Sequence, residues 1–152
     1  MKLAEGLVLR ADTKKRIEQL RERLKSSALV QEGEEPPENP QELLSELKRL
    51  LDQFTILVQR INRTNLQATL SDGKTLTTAL AERDTFSLYH NVLETTATAA
   101  TPKFDRAGRS EIKKVATVKV ADLRRQLDEI ARQRRELDTL IQSANWTTDL
   151  LD

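Results

Sequence analysis

Residues 40–61 read PQELLSELKRLLDQFTILVQRI. Leu43, Leu47, Leu50, Phe54, Leu57 and Ile61 recur at alternating steps of four and three, which is a helical period and excludes a strand. Leu44, Leu51 and Val58 form a second row beside them, seven residues apart. An apolar stripe this wide needs cover from more than one neighbouring helix, so the segment is the expected centre of a helical core. Asn39 caps it, with Pro40 at the first helical position and Glu42 three residues after the cap. The helix is expected to end near Asn62–Asn65, where Asn and Thr satisfy free backbone groups.

Working outward, Glu32–Pro40 (EGEEPPENP) cannot continue a helix and reads as an exposed acidic loop. Before it, Met1–Ser27 reads as a first helix, with Leu3, Leu7, Ile17, Leu20, Leu24 and Ala28 on one stripe. Gly6 interrupts that stripe at a cost of about 1 kcal/mol relative to Ala. After the second helix, Asp72-Gly73 marks a turn and Thr75 a cap. A third helix is expected from Leu76 to about Ala100, and a fourth from about Lys119 to Ser143. Between them lies a basic loop, then Glu111–Val118, whose β-branched alternation predicts a strand. Ser27–Gln31 and Gln67–Leu70 are its candidate partners, and Trp146 is expected to pack on the core. The reading is a single, mainly α domain over 1–152. Three to four long helices form an antiparallel bundle or coiled-coil-like hairpin, with a small two- to three-stranded β element.

Composition removes several function classes. The chain has 152 residues and no cysteine, so thiolate metal sites, disulfides and cysteine nucleophiles are excluded. One histidine, His90, is too few for a multi-histidine metal site, and the residue three before it is Ser87 rather than Glu, so the Glu-x-x-His di-metal motif is missing. No apolar run approaches the roughly 18 residues of a membrane span, and Met1–Lys25 is too charged for a signal peptide. A cytoplasmic, non-enzymatic protein without metal or cofactor is the expectation.

The informative charges are those that interrupt the seams. Arg10, Lys14 and Arg21 fall on apolar register positions of the first helix, Arg83 and His90 on the third, and Arg134 on the fourth. A buried guanidinium is costly unless paired. Arg10, Asp12, Glu82, Arg83, Asp84 and Arg134 are therefore candidates for a buried polar network that fixes helix register or a subunit contact. A frayed, solvated seam and an anion-binding pocket are the other two readings. Basic faces near 14–25 and 103–119 offer Lys14, Lys15, Arg16, Lys113 and Lys114 as candidate phosphate contacts to nucleic acid.

Several segments resemble, in order, a family of small uncharacterised bacterial proteins: Lys2-Leu-Ala-Glu5, Arg10-Ala-Asp12, Ile61-Asn-Arg-Thr-Asn65, Asp72-Gly73, Leu80-Ala-Glu-Arg-Asp84, Ser110-Glu-Ile112 and Asn145-Trp-Thr147. Some members carry the label septicolysin. The resemblance covers nearly the whole chain and implies no activity, cofactor or catalytic residue. A thiol-dependent secreted cytolysin needs a cysteine and an export signal, and neither is in this sequence. The sequence therefore points to a self-associating helical protein, expected to partner with copies of itself through its helix stripes; nucleic-acid binding is the alternative, and no membrane partner is expected.

Overall fold

The computed structural model describes residues 1–103 and 112–152. Its helices are α1 (Leu3–Ser27), α2 (Pro40–Gln67), α3 (Leu76–Ala100) and α4 (Val120–Thr147). The chain divides into two compact units: Met1–Thr69 with Gln142–Asp152, and Leu70–Ile141. No helix among the described residues is long and apolar enough to cross a membrane.

In the first unit, α1 and α2 form an antiparallel hairpin. Leu20 of α1 packs with Leu43 and Leu50 of α2, and Ile17, Leu24 and Leu47 close around them. The helix ends follow from local chemistry. The Lys2 backbone N–H donates to Glu5 Oε2 at 2.6 Å at the start of α1. The Asn39 side chain accepts from Gln41 N at 3.0 Å at the start of α2. Thr13 is buried within α1, and its hydroxyl is satisfied by the Leu9 carbonyl at 2.8 Å.

The C-terminal segment completes this unit. Leu3 N donates to Thr148 O and Leu150 N to Met1 O, each at 2.9 Å, around an isolated antiparallel bridge between Lys2 and Asp149. Leu150 is buried against Gly6, where a Cβ would stand 2.9 Å from Leu150 Cδ2. The apparent flaw in the α1 stripe is thus the notch that admits the tail.

In the second unit, α3 and α4 form another antiparallel pair. Leu93 and Ala97 pack with Leu127, flanked by Leu123 and Ile130. Leu70–Lys74 turns back on itself through Leu70 N to Lys74 O at 2.8 Å, with Gly73 at φ +85°. Thr75 then caps α3, accepting from Thr78 N at 3.2 Å.

Two expectations need correction. The small β element does not form among the described residues. α1 continues through Ser27, Leu29 and Val30 are exposed, and the chain turns at Gln31–Glu34 with Gly33 at φ +86°. α2 continues through Gln67. Residues 112–118 are not a strand, and Ile112, Val115 and Val118 are exposed; Glu111 lies outside the described residues. Strand preference reflects packing against a neighbouring strand, and no strand forms among the described residues. Trp146 is 60% exposed, while Asn145 is buried. At about 100° per residue, Trp146 falls on the side of α4 opposite buried Ile141 and Ala144, while Asn145 stays at the edge of the buried side.

Candidate functional site

The seam residues separate by unit. Arg83, Asp84 and Arg134 come together along a cleft of about 470 Å³ between α3 and α4, with His90 and Asp138. Arg83, Ser87 and His90 share one face of α3 because they are four and three residues apart. Ala131 on α4 leaves room opposite them. Arg83 donates from its guanidinium to Asp138 Oδ1 at 3.3 Å and lies 3.8 Å from Asp84 Oδ1. This bridge joins α3 to α4 across the cleft.

None of the six network candidates is buried. The Arg83 side chain is 31% exposed, and Arg134, Asp84, Arg10 and Asp12 are exposed. Glu82 turns away from the cleft and accepts from Lys74 Nζ at 2.8 Å. Arg10 and Asp12 belong to the other unit. The long side chains keep their charged heads in water while their stems follow the helix surface.

The cleft holds mixed charge and no activated nucleophile. Ser87 donates to the Arg83 carbonyl at 3.1 Å, so its proton is engaged with its own helix. His90 Nδ1 lies 3.9 Å from Glu94 Oε2, an ion pair only when the imidazole is protonated. Among the described residues, no three His, Asp or Glu side chains converge as a metal set.

The expected phosphate contacts are all exposed. Lys14, Lys15 and Arg16 lie on α1, and Lys113 and Lys114 in the segment before α4, in separate units. Lys15 is 4.0 Å from Asp12.

The shifted ionisations lie elsewhere, each with an ion-pair partner. Hydrogen bonding with Arg23 holds the Glu38 carboxyl below its ordinary value, and the same contact raises Arg23. Glu82 raises Lys74, Lys2 lowers Asp149, and Arg132 lowers Glu129. Each pair is solvent-accessible, which makes it a clasp on the surface.

Two uncovered helix faces are larger features. On α2, Leu44 and Leu51 are 46% and 44% exposed, so the second row of the stripe is left largely open. On α3, Ala81, Thr85, Leu88, Val92, Thr95 and Ala99 are exposed along one side. Five helical turns separate Ala81 from Ala99, about 27 Å. No charged residue stands in that row. Thr85 donates to the Ala81 carbonyl at 3.0 Å, so its hydroxyl is satisfied by its own helix. Sequence reasoning missed this face because four of its six residues are Ala or Thr and the row lies opposite the α3 stripe.

It also missed the tail clasp. Thr64 Oγ1 donates to Arg60 O at 2.8 Å and accepts from Leu151 N at 3.0 Å, while Arg60 Nε donates to Leu151 O at 2.9 Å. Gly6 within a helical stripe was the available signal, since such a glycine often marks close approach of another segment.

The family described as "Family of unknown function (DUF6847)" matches residues 10–150. Among curated proteins none matches the chain. Among solved structures, the chain is similar to a functionally unknown conserved protein from Corynebacterium diphtheriae, known from a crystal structure. The identity is 42%, the TM-score is 0.92, and the match covers 99% of this chain and 98% of that one.

Proposed function

The chain belongs to the DUF6847 family of unknown function, and we propose that it is a non-enzymatic helical protein that self-associates, with the uncharged face of α3 as the subunit contact. The observation that carries this reading is the exposure of Leu88 and Val92, 69% and 62%, in a row without a single charge. A two-fold contact lays the same patch against itself, so a charged patch meets its own charge and is repelled. The α3 row has no such conflict, and its small residues let two helix backbones approach closely.

The test is a double substitution, Leu88→Glu with Val92→Glu. It puts four carboxylates in the proposed two-fold contact and leaves the buried side of α3 untouched. The expected result is dissociation at micromolar concentration with unchanged helical circular dichroism. An assembly that survives the double substitution overturns the α3 contact.

A second reading, nucleic-acid binding, is supported by the exposure of Lys14, Lys15, Arg16, Lys113 and Lys114. It requires a mobility shift that weakens steeply with salt, because each phosphate contact releases a counterion. Absence of binding at low salt removes it.

A further inference from the structure

We propose that the α1–α2 hairpin carries a docking furrow for an amphipathic helix of another protein, one with an apolar row flanked by glutamate or aspartate. The furrow is defined by asking which side of each helix faces which side of the hairpin. Arg23 settles this. It donates to Glu38 Oε2 at 2.9 Å, feels the charge of Glu46, and lines one hollow with Glu42, Glu46 and Arg49. That hollow marks one flank of the hairpin.

At about 100° per residue, Arg23 lies roughly 100° to one side of the buried row of α1, and Arg10, Lys14 and Arg21 about 40–80° to the other. On α2, Glu46 and Arg49 lie about 40–100° to one side of the buried row, and Leu47, Leu51 and Phe54 about 40–100° to the other. Antiparallel packing places Arg23 and Glu46 on one flank together. The opposite flank therefore sets the basic row of α1 beside the open leucines of α2. Lys48 stands at the outer edge, beyond Leu44 and Leu51.

The charges on that flank are of one sign where they are unpaired. Arg21 is held by Glu18 at 3.3 Å. Among the described residues, Arg10, Lys14 and Lys48 have no carboxylate within 4.0 Å. The two open leucines, Leu44 and Leu51, stand about 10 Å apart along α2, or two turns of a partner helix.

The combination selects the occupant. Nucleic acid has phosphates for the basic side chains of the rim and nothing to bury Leu44 and Leu51. A second copy of the same face would set base against base; the α3 row itself holds no acid, and Asp84 at its edge lies 3.8 Å from Arg83. An apolar helix with acidic flanks satisfies both the floor and the rims, laid into the groove by its i, i+3, i+4 and i+7 residues. Rim charges of this kind govern partner choice and association rate more than raw affinity.

The experiment uses the full chain and two labelled helical peptides of about 18 residues, identical in their leucine row, one flanked by glutamates and one by lysines. Fluorescence anisotropy at low salt is expected to show binding of the glutamate peptide only. Leu51→Glu is expected to abolish it. Lys14→Glu with Lys48→Glu is expected to weaken it about tenfold and to admit the lysine peptide. These are surface substitutions, and circular dichroism checks that the fold is kept. Failure of both peptides overturns the proposal, as does equal binding of both or indifference to the charge reversal. Binding of phosphatidylserine vesicles through the same residues, with no peptide binding, overturns it in favour of a membrane surface.

Discussion

Thr64 is the residue whose replacement tests the tail clasp most sharply. It is 1% exposed and stands in α2 facing the C-terminal segment. Its hydroxyl accepts from Leu151 N at 3.0 Å and donates to Arg60 O at 2.8 Å. Thr64→Val keeps the branched shape and removes only the hydrogen-bonding group. The Arg60 carbonyl belongs to a helical ladder and loses little. The Leu151 N–H loses its acceptor in a half-buried place, which costs about 1–3 kcal/mol. Thr64→Ser is the control, since it keeps the hydroxyl and removes one methyl, at about 1 kcal/mol. Urea unfolding followed by circular dichroism measures the stability, and amide hydrogen exchange at Leu151 measures the clasp itself. The expected result is a less stable valine variant with rapid exchange at Leu151, and a serine variant that keeps that protection. A valine variant as stable as the native protein, or one with Leu151 still protected, would refute the reasoning.

Other outcomes follow from the same structure. Ser27 is buried and its Oγ has no hydrogen-bond partner among the described residues, so Ser27→Ala should raise stability by about 1 kcal/mol in urea unfolding; a loss would show that the hydroxyl is bonded. Replacing Gly6 with a large residue, Gly6→Leu, should expel Leu150 and speed exchange at the Leu150 amide, and retention of protection would count against the notch. The Glu38 carboxyl is lowered by Arg23, so its contribution is full above the ordinary value near 4.5 and disappears as pH falls through the lower folded value. Glu38→Gln should therefore flatten the acid side of the stability–pH curve, and an unchanged slope would deny that the clasp contributes.

The helices were legible because their signals are local. Asn39-Pro40 and Thr75 mark helix starts by capping chemistry that acts within three residues, and both caps are present. The alternation of fours and threes from Leu43 to Ile61 depends only on helical geometry, and Leu43, Leu50, Leu57 and Ile61 are buried as that geometry requires. The β element was illegible because a strand is decided by its partner. Residues 112–118 have the composition of a strand, yet no strand forms among the described residues. The role of Gly6 depends on its contact with Leu150, almost the whole chain length away. The candidate site was legible in part. The register gaps at Arg83 and Arg134 did mark a shared cleft. Register alone could not show that the cleft is solvated, because the long arginine stem lets a charge leave a seam position for water.

The central claim is self-association, and the mass of the native chain in solution tests it most directly. Sedimentation equilibrium at micromolar concentration is expected to return a multiple of 17.3 kDa that falls to 17.3 kDa in the Leu88→Glu, Val92→Glu variant. A native chain that sediments as a single species of 17.3 kDa would contradict the account.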